Sequence, residues 1–358
     1  MAVINLASKY STKLDERFKL SSRTDEYTGK DYDFTGVDTI NIYSIDGTDL
    51  SNYDRTASTD RFGTTTEVGD TKQTMVLSKD QGFSRAIDYG NAQEQYNIKR
   101  AQMVLKSIWD ETMVPTVDKY RFTNWINGAG LGVLNGTALA VGTVIEAIMT
   151  GSAALSNKLV PLANRVIFIK ESVYIKCKLA TEIIGIDTLG AESVKNGKVG
   201  YLDGMPVIRV PDSYFPTGIN FLIKYKGSTV DPITLKTLRV QKAPKGYDAD
   251  ILEGRMIYDS FVLGQKVNGL YVHAQSAMLA APTLTNTSNV ITFACTNSTG
   301  IKYTVDGTNP KNSSTSTTVL AAAYTSGAPT LTAGQTLRAY AYATSGYTNS
   351  PISETTYA

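Results

Sequence analysis

Histidine is almost missing from this chain of 358 residues: there is one, His273. Histidine triads, paired-histidine metal sites and histidine proton relays all need that residue, and most need several. His273 stands in Gly269-Leu-Tyr-Val-His-Ala274, an alternating run that reads as a strand with a structural histidine. Cysteine is nearly as scarce. Cys177 and Cys295 lie far apart in apolar runs and read as buried free thiols; two cysteines do not make a zinc site. Charge of one sign is missing too. The net charge is +2, so no strong field directs the chain to nucleic acid or an anionic membrane. No apolar run reaches the roughly eighteen residues that a membrane span needs. Residues 1–10 lack the basic start and apolar core of a signal peptide, so the expectation is a chain made and folded in a cytoplasm.

Other absences bear on enzymology. The acidic pairs Asp15/Glu16 and Asp110/Glu111 are adjacent in sequence, and such neighbours do not share a helix face, so they read as solvated charge. The run Asn127-Gly-Ala-Gly-Leu-Gly132 lacks a Lys-Ser/Thr ending and follows a helix rather than a strand. It therefore reads as a flexible connection and not as a phosphate loop. No catalytic, cofactor or metal site is expected.

What is present begins with one long helix. Over residues 89–125, Ile98, Ala101, Leu105, Ile108, Trp109 and Met113 recur at helical spacing. Asn91 can cap its start, with Glu94 three residues on. Pro115 should kink or restart it. Ahead of it, residues 11–33 are polar and charged. Asp38-Thr-Ile-Asn-Ile-Tyr-Ser-Ile45 then alternates as a short strand with Ile40, Ile42 and Ser44 on one face. Residues 53–86 have Thr-rich flanks suited to strands around Glu67-Val-Gly-Asp-Thr-Lys72, which has turn chemistry. A ribbon with so little apolar content has no core of its own and needs a neighbour.

The stretch 87–278 reads as a mixed α+β body. Residues 143–158 form an amphipathic helix with Val144, Ile145, Ile148 and Met149 inward. A buried strand at 164–170, a short helix at 171–178, a turn and strand at 200–211 and a strand at 221–225 follow. Residues 231–240 read as a helix, with Asp231 at the cap and Pro232 at the first helical position. Two further strands follow at 255–263 and 269–274, and the long helix should pack on them.

Composition changes at Pro282. From there to Ala358 the only charges are Lys302, Asp306, Lys311, Arg338 and Glu354. Short alternating runs separated by turn clusters such as Asp306-Gly-Thr-Asn-Pro310 mark a small β-sandwich.

The order of arm, hairpin, long helix, α+β body with Leu202-Asp-Gly-Met-Pro-Val-Ile-Arg-Val-Pro211, and returning strands resembles the Hong Kong 97-type capsid fold of tailed-bacteriophage major capsid proteins. The resemblance implies an N-arm at 1–52, an E-loop at 53–86 and a peripheral domain with a spine helix at 87–140 and 250–278. It also implies an axial domain at 141–249. Tyr303-Thr-Val-Asp-Gly-Thr-Asn-Pro310 with Thr336-Leu-Arg-Ala-Tyr-Ala341 resembles the immunoglobulin-like C-terminal domain of chitobiases, which implies an outward-facing surface domain at 282–358. Together these imply an α+β, non-enzymatic shell subunit that self-assembles into hexamers and pentamers around double-stranded DNA. It would be assembled in the host cytoplasm and reside in the virion, with a separate scaffolding protein and a portal as partners. Arg61, Phe62, Glu67, Asp70, Lys72 and Met75 are the expected inter-subunit contacts of the E-loop. Tyr324, Tyr340, Tyr342 and Tyr347 are candidates for weak adhesion to surface or mucus glycans. An encapsulin-type compartment of the same fold and a carbohydrate-binding surface protein are the alternative readings.

Overall fold

The computed structural model of the chain describes residues 21–29, 32, 39–45, 52–56, 58–63, 67–68, 70–90, 101–180, 200–246, 248–313, 316–320, 323–324 and 329–357. At its centre is a six-stranded mixed sheet. Its strands are β4 (Leu131–Leu134), β5 (Arg165–Lys170), β6 (Tyr201–Leu202), β7 (Met205–Val210), β8 (Ile219–Tyr225) and β13 (Leu270–Ala274). They lie in the order β4-β13-β8-β5-β7-β6, with β5 parallel to β7 and β4 parallel to β13. Alternate residues of the same strands feed opposite cores. Val166, Phe168, Leu222, Leu270 and Val272 face Phe122, Trp125 and Ile126 of one helix. Ile167, Ile169, Phe221, Ile223 and Tyr271 face Val144, Ile148, Leu155, Val173 and Tyr174 of two others. Strands covered on both faces are apolar throughout rather than alternating, which is why these runs are easily read as buried strands. Asp203 and Gly204 both have positive φ and close the tight β6–β7 turn, the conformation that Asp-Gly favours.

The helices are α1 (Ala101–Ile108), α2 (Val114–Gly128), α3 (Val144–Asn157) and α4 (Glu171–Leu179). A π-turn over Trp109–Met113 joins α1 to α2, with the Val114 amide donating to the Trp109 carbonyl. Pro115 sits in the first turn of α2. In a straight α-helix its ring would strike the carbonyl four residues back, and the wider π-turn relieves that clash. The helix thus restarts at the proline, as expected, but runs on to Gly128. Trp109 and Met113 pack with Met256 and Tyr258, as the apolar spacing anticipates. Ile98 and the Asn91/Glu94 cap lie outside the described residues.

Several expectations need correction. Residues 231–240 are not a helix. Strand β10 (Ile233–Lys242) pairs antiparallel with β11 (Ala249–Tyr258), which pairs in turn with β3 (Lys79–Asp88). Asp-Pro imitates a helix start, but Ile-Thr-Leu-Lys-Thr-Leu-Arg-Val alternates with period two and carries β-branched residues, and pairing with β11 decides the outcome. Residues 127–132 are not a flexible connection either. A Cβ on Gly128 would meet Val262 Cγ2 at 2.4 Å, and one on Gly132 would meet the Val272 carbonyl oxygen at 2.8 Å. These glycines serve close packing. The turn expected at 67–72 is not a turn over Asp70–Lys72: those residues begin β2 (Asp70–Val76), whose partner is β1 (Thr39–Ile45). Met149, expected inward, is 38% exposed.

The C-terminal residues form two sheets, β14-β15-β18 and β17-β16-β19-β20. Their ranges are β14 (Thr283–Thr287), β15 (Val290–Ala294), β16 (Gly300–Thr304), β17 (Thr317–Leu320), β18 (Ala323–Tyr324), β19 (Thr336–Tyr342) and β20 (Ser353–Thr356). Ile291, Phe293, Ile301, Leu337, Ala339 and Ala341 share the core between them.

Candidate functional site

Three attachments to the body leave apolar or polar surface facing outward. The first is the β1–β2 ribbon. Its inner face carries Ile40, Ile42 and Met75, which pack on Val230 and Leu263. The Gln73 side chain clamps the ribbon down: its amide donates to the Val262 carbonyl at 3.0 Å and accepts from the Gly264 amide at 2.8 Å. The outer face is mixed: Thr39, Asn41, Asp70, Lys72 and Thr74 are exposed there beside three large apolar side chains. Tyr43 is 63% exposed, Ile45 75% and Val76 52%. Between the strands, the Asp54 amide donates to the Arg61 carbonyl, and the Tyr53 and Phe62 rings meet edge to face at 4.9 Å. Phe62 is nonetheless 83% exposed.

Of the expected contact residues, Arg61, Phe62, Glu67, Asp70 and Lys72 are exposed along this ribbon and its tip. Met75 is not: it is fully buried within its own chain. The sequence reading missed Tyr43 and Ile45, although the strand alternation that put Ile40 and Ile42 inward puts these outward.

The second attachment is the segment 22–29. The Asp118 carboxylate on α2 accepts from Ser22 Oγ and the Arg23 amide at 2.8 Å each and from Thr24 Oγ1 at 2.6 Å. Arg121, one turn on, bonds Thr24 Oγ1 at 2.8 Å and pairs with Asp25. Lys224 of β8 is wholly buried. Its Nζ donates to the Tyr27 carbonyl and lies 4.3 Å from the Trp125 ring centroid. Burial pushes its pKa down to about 7, with Asp231 opposing the fall and Arg121 adding to it. Asp231, expected as a helix cap, instead accepts from Trp125 Nε1 and Thr229 Oγ1 at 2.9 Å each and from Ser260 Oγ.

The third is the C-terminal β unit. The turn after β16, in which Asp306 Oδ1 accepts from the Thr308 amide at 3.0 Å, leads into Lys311. Lys311 Nζ donates to the Asn127 and Ala129 carbonyls at the end of α2, at 2.9 and 2.6 Å. Asn312 Nδ2 donates to the Val262 carbonyl at 2.7 Å and the Ile352 amide to the Gly130 carbonyl at 2.9 Å. Among the tyrosines expected at an adhesive surface, Tyr340 is a correction: it is 6% exposed, with Lys311 Nζ 5.3 Å from its ring centroid. Tyr342 is half-buried beside Lys302, and Tyr347 is 40% exposed. The Tyr324 side chain lies outside the described residues.

His273 is buried, stacked on Phe221 at 4.9 Å and 3.2 Å from Asn220 Nδ2; burial lowers its pKa. Cys177 and Cys295 are free and buried. Among the described residues, no three His, Cys, Asp or Glu side chains gather as a metal site. No described helix is long and apolar enough to cross a membrane. A cleft of about 730 Å³ opens on the β10-β11-β3 sheet, and its charges pair off as Arg255–Asp80 and Arg239–Glu253.

No family model and no curated protein matches this chain. Solved structures do. One from Mycobacterium phage Che8 matches with a TM-score of 0.63 at 12% identity, covering 75% of this chain and 97% of that one. The capsid structure of cyanophage P-SCSP1u matches with a TM-score of 0.58 at 12% identity, covering 75% of this chain and 92% of that one. The head structure of Helicobacter pylori bacteriophage KHP40 matches with a TM-score of 0.56 at 11% identity, covering 76% of this chain and 95% of that one. At such identity the likeness establishes architecture: the greater part of this chain has the fold of phage capsid and head proteins.

Proposed function

We propose that this chain is the major capsid protein of a tailed phage, a structural subunit of Hong Kong 97 type whose copies close into an icosahedral shell around double-stranded DNA. The observation that carries this reading is the β1–β2 ribbon. It belongs to a chain of capsid fold and holds Tyr43, Ile45, Val76 and Phe62 out to solvent. A single chain gains nothing from such a face, whereas symmetric copies cover it for one another. On this reading the E-loop is the ribbon 39–76, rather than 53–86, and the spine is α1 with α2. The axial domain is built on α3, α4 and the central sheet. The segment 22–29, clamped on α2, belongs to the arm.

The near-neutral charge fits a wall that encloses DNA without gripping it by many phosphate contacts. A separate scaffolding protein and a portal are the other partners. The β unit at 282–358 is the outward immunoglobulin-like domain, and Tyr324, Tyr342 and Tyr347 remain its candidates for a weak glycan contact. Electron microscopy of the purified full chain tests the reading. Shells, or isolated hexamers and pentamers, support it; particles filled with a host protein instead of DNA would favour the encapsulin-type alternative.

A further inference from the structure

The segment 22–29, Ser-Arg-Thr-Asp-Glu-Tyr-Thr-Gly, has no aliphatic side chain, yet it lies across α2 and β8. What holds it is polar. Asp118 accepts from Ser22, Arg23 and Thr24, Arg121 pairs with Asp25, and the Gly29 amide donates to the Thr229 carbonyl at 3.0 Å. Its one ring, Tyr27, meets Phe168 edge to face at 5.6 Å. A contact built this way gives up little apolar burial when it opens, which places it among the parts of a fold that open locally.

The same contact leaves buried cations short of acceptors. Arg23 Nε and Arg121 Nε are buried with no hydrogen-bond partner among the described residues. Lys224 is 0% exposed, and an ammonium has three protons to donate. Among the described residues its Nζ has one acceptor, the Tyr27 carbonyl of the segment, and its other close neighbour is the Trp125 ring. With the segment lifted, water serves all three groups, which offsets part of the cost of opening.

A site with one acceptor suits a neutral amine better than an ammonium. The charges around it add to that preference. Asp231 favours the proton on Lys224, whereas Arg121 and Lys226 oppose it. The carboxylates of the elements packed over it are engaged elsewhere: Asp118 with the donors of the segment and Asp25 with Arg121. Glu26 is exposed.

We infer that the segment 22–29 is a proton-linked strap, which closes over Lys224 as an uncharged amine and lifts when that amine takes up a proton. The inference concerns the single chain and is independent of the shell reading.

The direction of the pH effect follows. In the closed form burial holds Lys224 at about 7; in the lifted form water returns it to near its ordinary value of 10.5. Between those values the lifted form binds more protons, so closure strengthens as pH rises, by up to about tenfold per unit, and levels off below about 7. The segment's own phenol stays out of this: burial, Glu26 and Tyr201 push the Tyr27 pKa up.

Hydrogen exchange at residues 23–29 of the full chain, read at each pH against a free peptide of residues 20–29, tests the strap. Protection should rise by up to about tenfold per unit from about pH 7.5 to about pH 9, and stay flat below about pH 6.5. It should remain below the protection of strand β8. Lys224→Met keeps the length and drops the charge, so it should remove the slope. Protection independent of pH in the wild type overturns the proposal, and that result needs no variant to fold. A slope retained in Lys224→Met overturns Lys224 as its source. Protection equal to that of β8 at every pH means that the segment opens only when the whole chain unfolds, and overturns the strap.

Discussion

Lys311 Nζ stands 2.9 Å from the carbonyl oxygen of Asn127, across 184 residues of sequence. The contact joins the C-terminal β unit to the last turn of α2, where the helix has carbonyls without amide partners and the negative end of its dipole. The β unit is therefore docked on the body and caps the helix there. Lys224, wholly buried, flanks the same turn from over Trp125, whereas Lys311 is partly buried.

Stability should therefore rise in alkaline solution. In the unfolded chain Lys311 keeps its proton to near its ordinary value of 10.5; in the folded chain burial pushes it down to about 7. Between those values the unfolded state binds more protons, so folding becomes more favourable as pH rises from about 7 to 10.5. Below that window the cost of burying the charge is fully present. Denaturant unfolding of wild type and Lys311→Met across this range should show the rise in wild type and a flatter curve in the variant. Equal slopes would mean that Lys311 does not titrate in this window.

Asp118→Ala should free the N-terminal segment without unfolding the body. It removes the acceptor shared by Ser22, Arg23 and Thr24. The local loss is about 2–3 kcal/mol, since bonds to a charged acceptor are the stronger ones. Hydrogen exchange at residues 23–29 should speed up, while strands β5 and β8 keep their protection.

Asp231→Ala should be far more damaging, by about 3–5 kcal/mol, because removing one member of a buried charged network strands the rest. Trp125 Nε1, Thr229 Oγ1 and Ser260 Oγ lose their acceptor, and Lys224 loses a nearby negative charge. Chemical denaturation gives the value directly.

Gly132→Ala should cost about 1–3 kcal/mol by overpacking. Its new methyl would sit 2.8 Å from the Val272 carbonyl oxygen and 3.2 Å from Pro351 Cγ. It should loosen the β unit as well as strand β4, visible as faster exchange of the Ile352 amide, which bonds Gly130.

These residues also show which parts of the structure a single sequence carries. Strands β5 and β8 are legible because burial on both faces leaves short, largely apolar runs, β13 because its run alternates, and α3 and α4 because their apolar spacing and charges are local. Strand β10 is not, because Asp231-Pro232 has the chemistry of a helix start and the deciding partner, β11, lies beyond a turn. The β1–β2 pairing is a non-local choice, and the turn residues at 67–72 point to a shorter hairpin than the one that forms. Lys224 and Lys311 look like ordinary surface lysines in sequence, since nothing local signals burial. Met75 reads as a contact residue from its place in the loop; its burial follows from Val230 and Leu263, more than a hundred residues away.

The burial of Met75 also decides how the ribbon is tested. Removing the whole ribbon would strip cover from Val230 and Leu263 and mix loss of packing with loss of assembly. Substituting only its outer face avoids this. Tyr43→Ser, Ile45→Thr and Phe62→Ser alter exposed side chains and should change the stability of the isolated subunit by no more than about 0.5 kcal/mol each. Sedimentation velocity of the wild type and this triple variant, run side by side over a range of concentrations, is the direct measurement. The capsid account predicts large closed particles or capsomers from the wild type and a folded monomer from the variant. A wild type that stays monomeric at every concentration, or a variant that assembles as the wild type does, would contradict it.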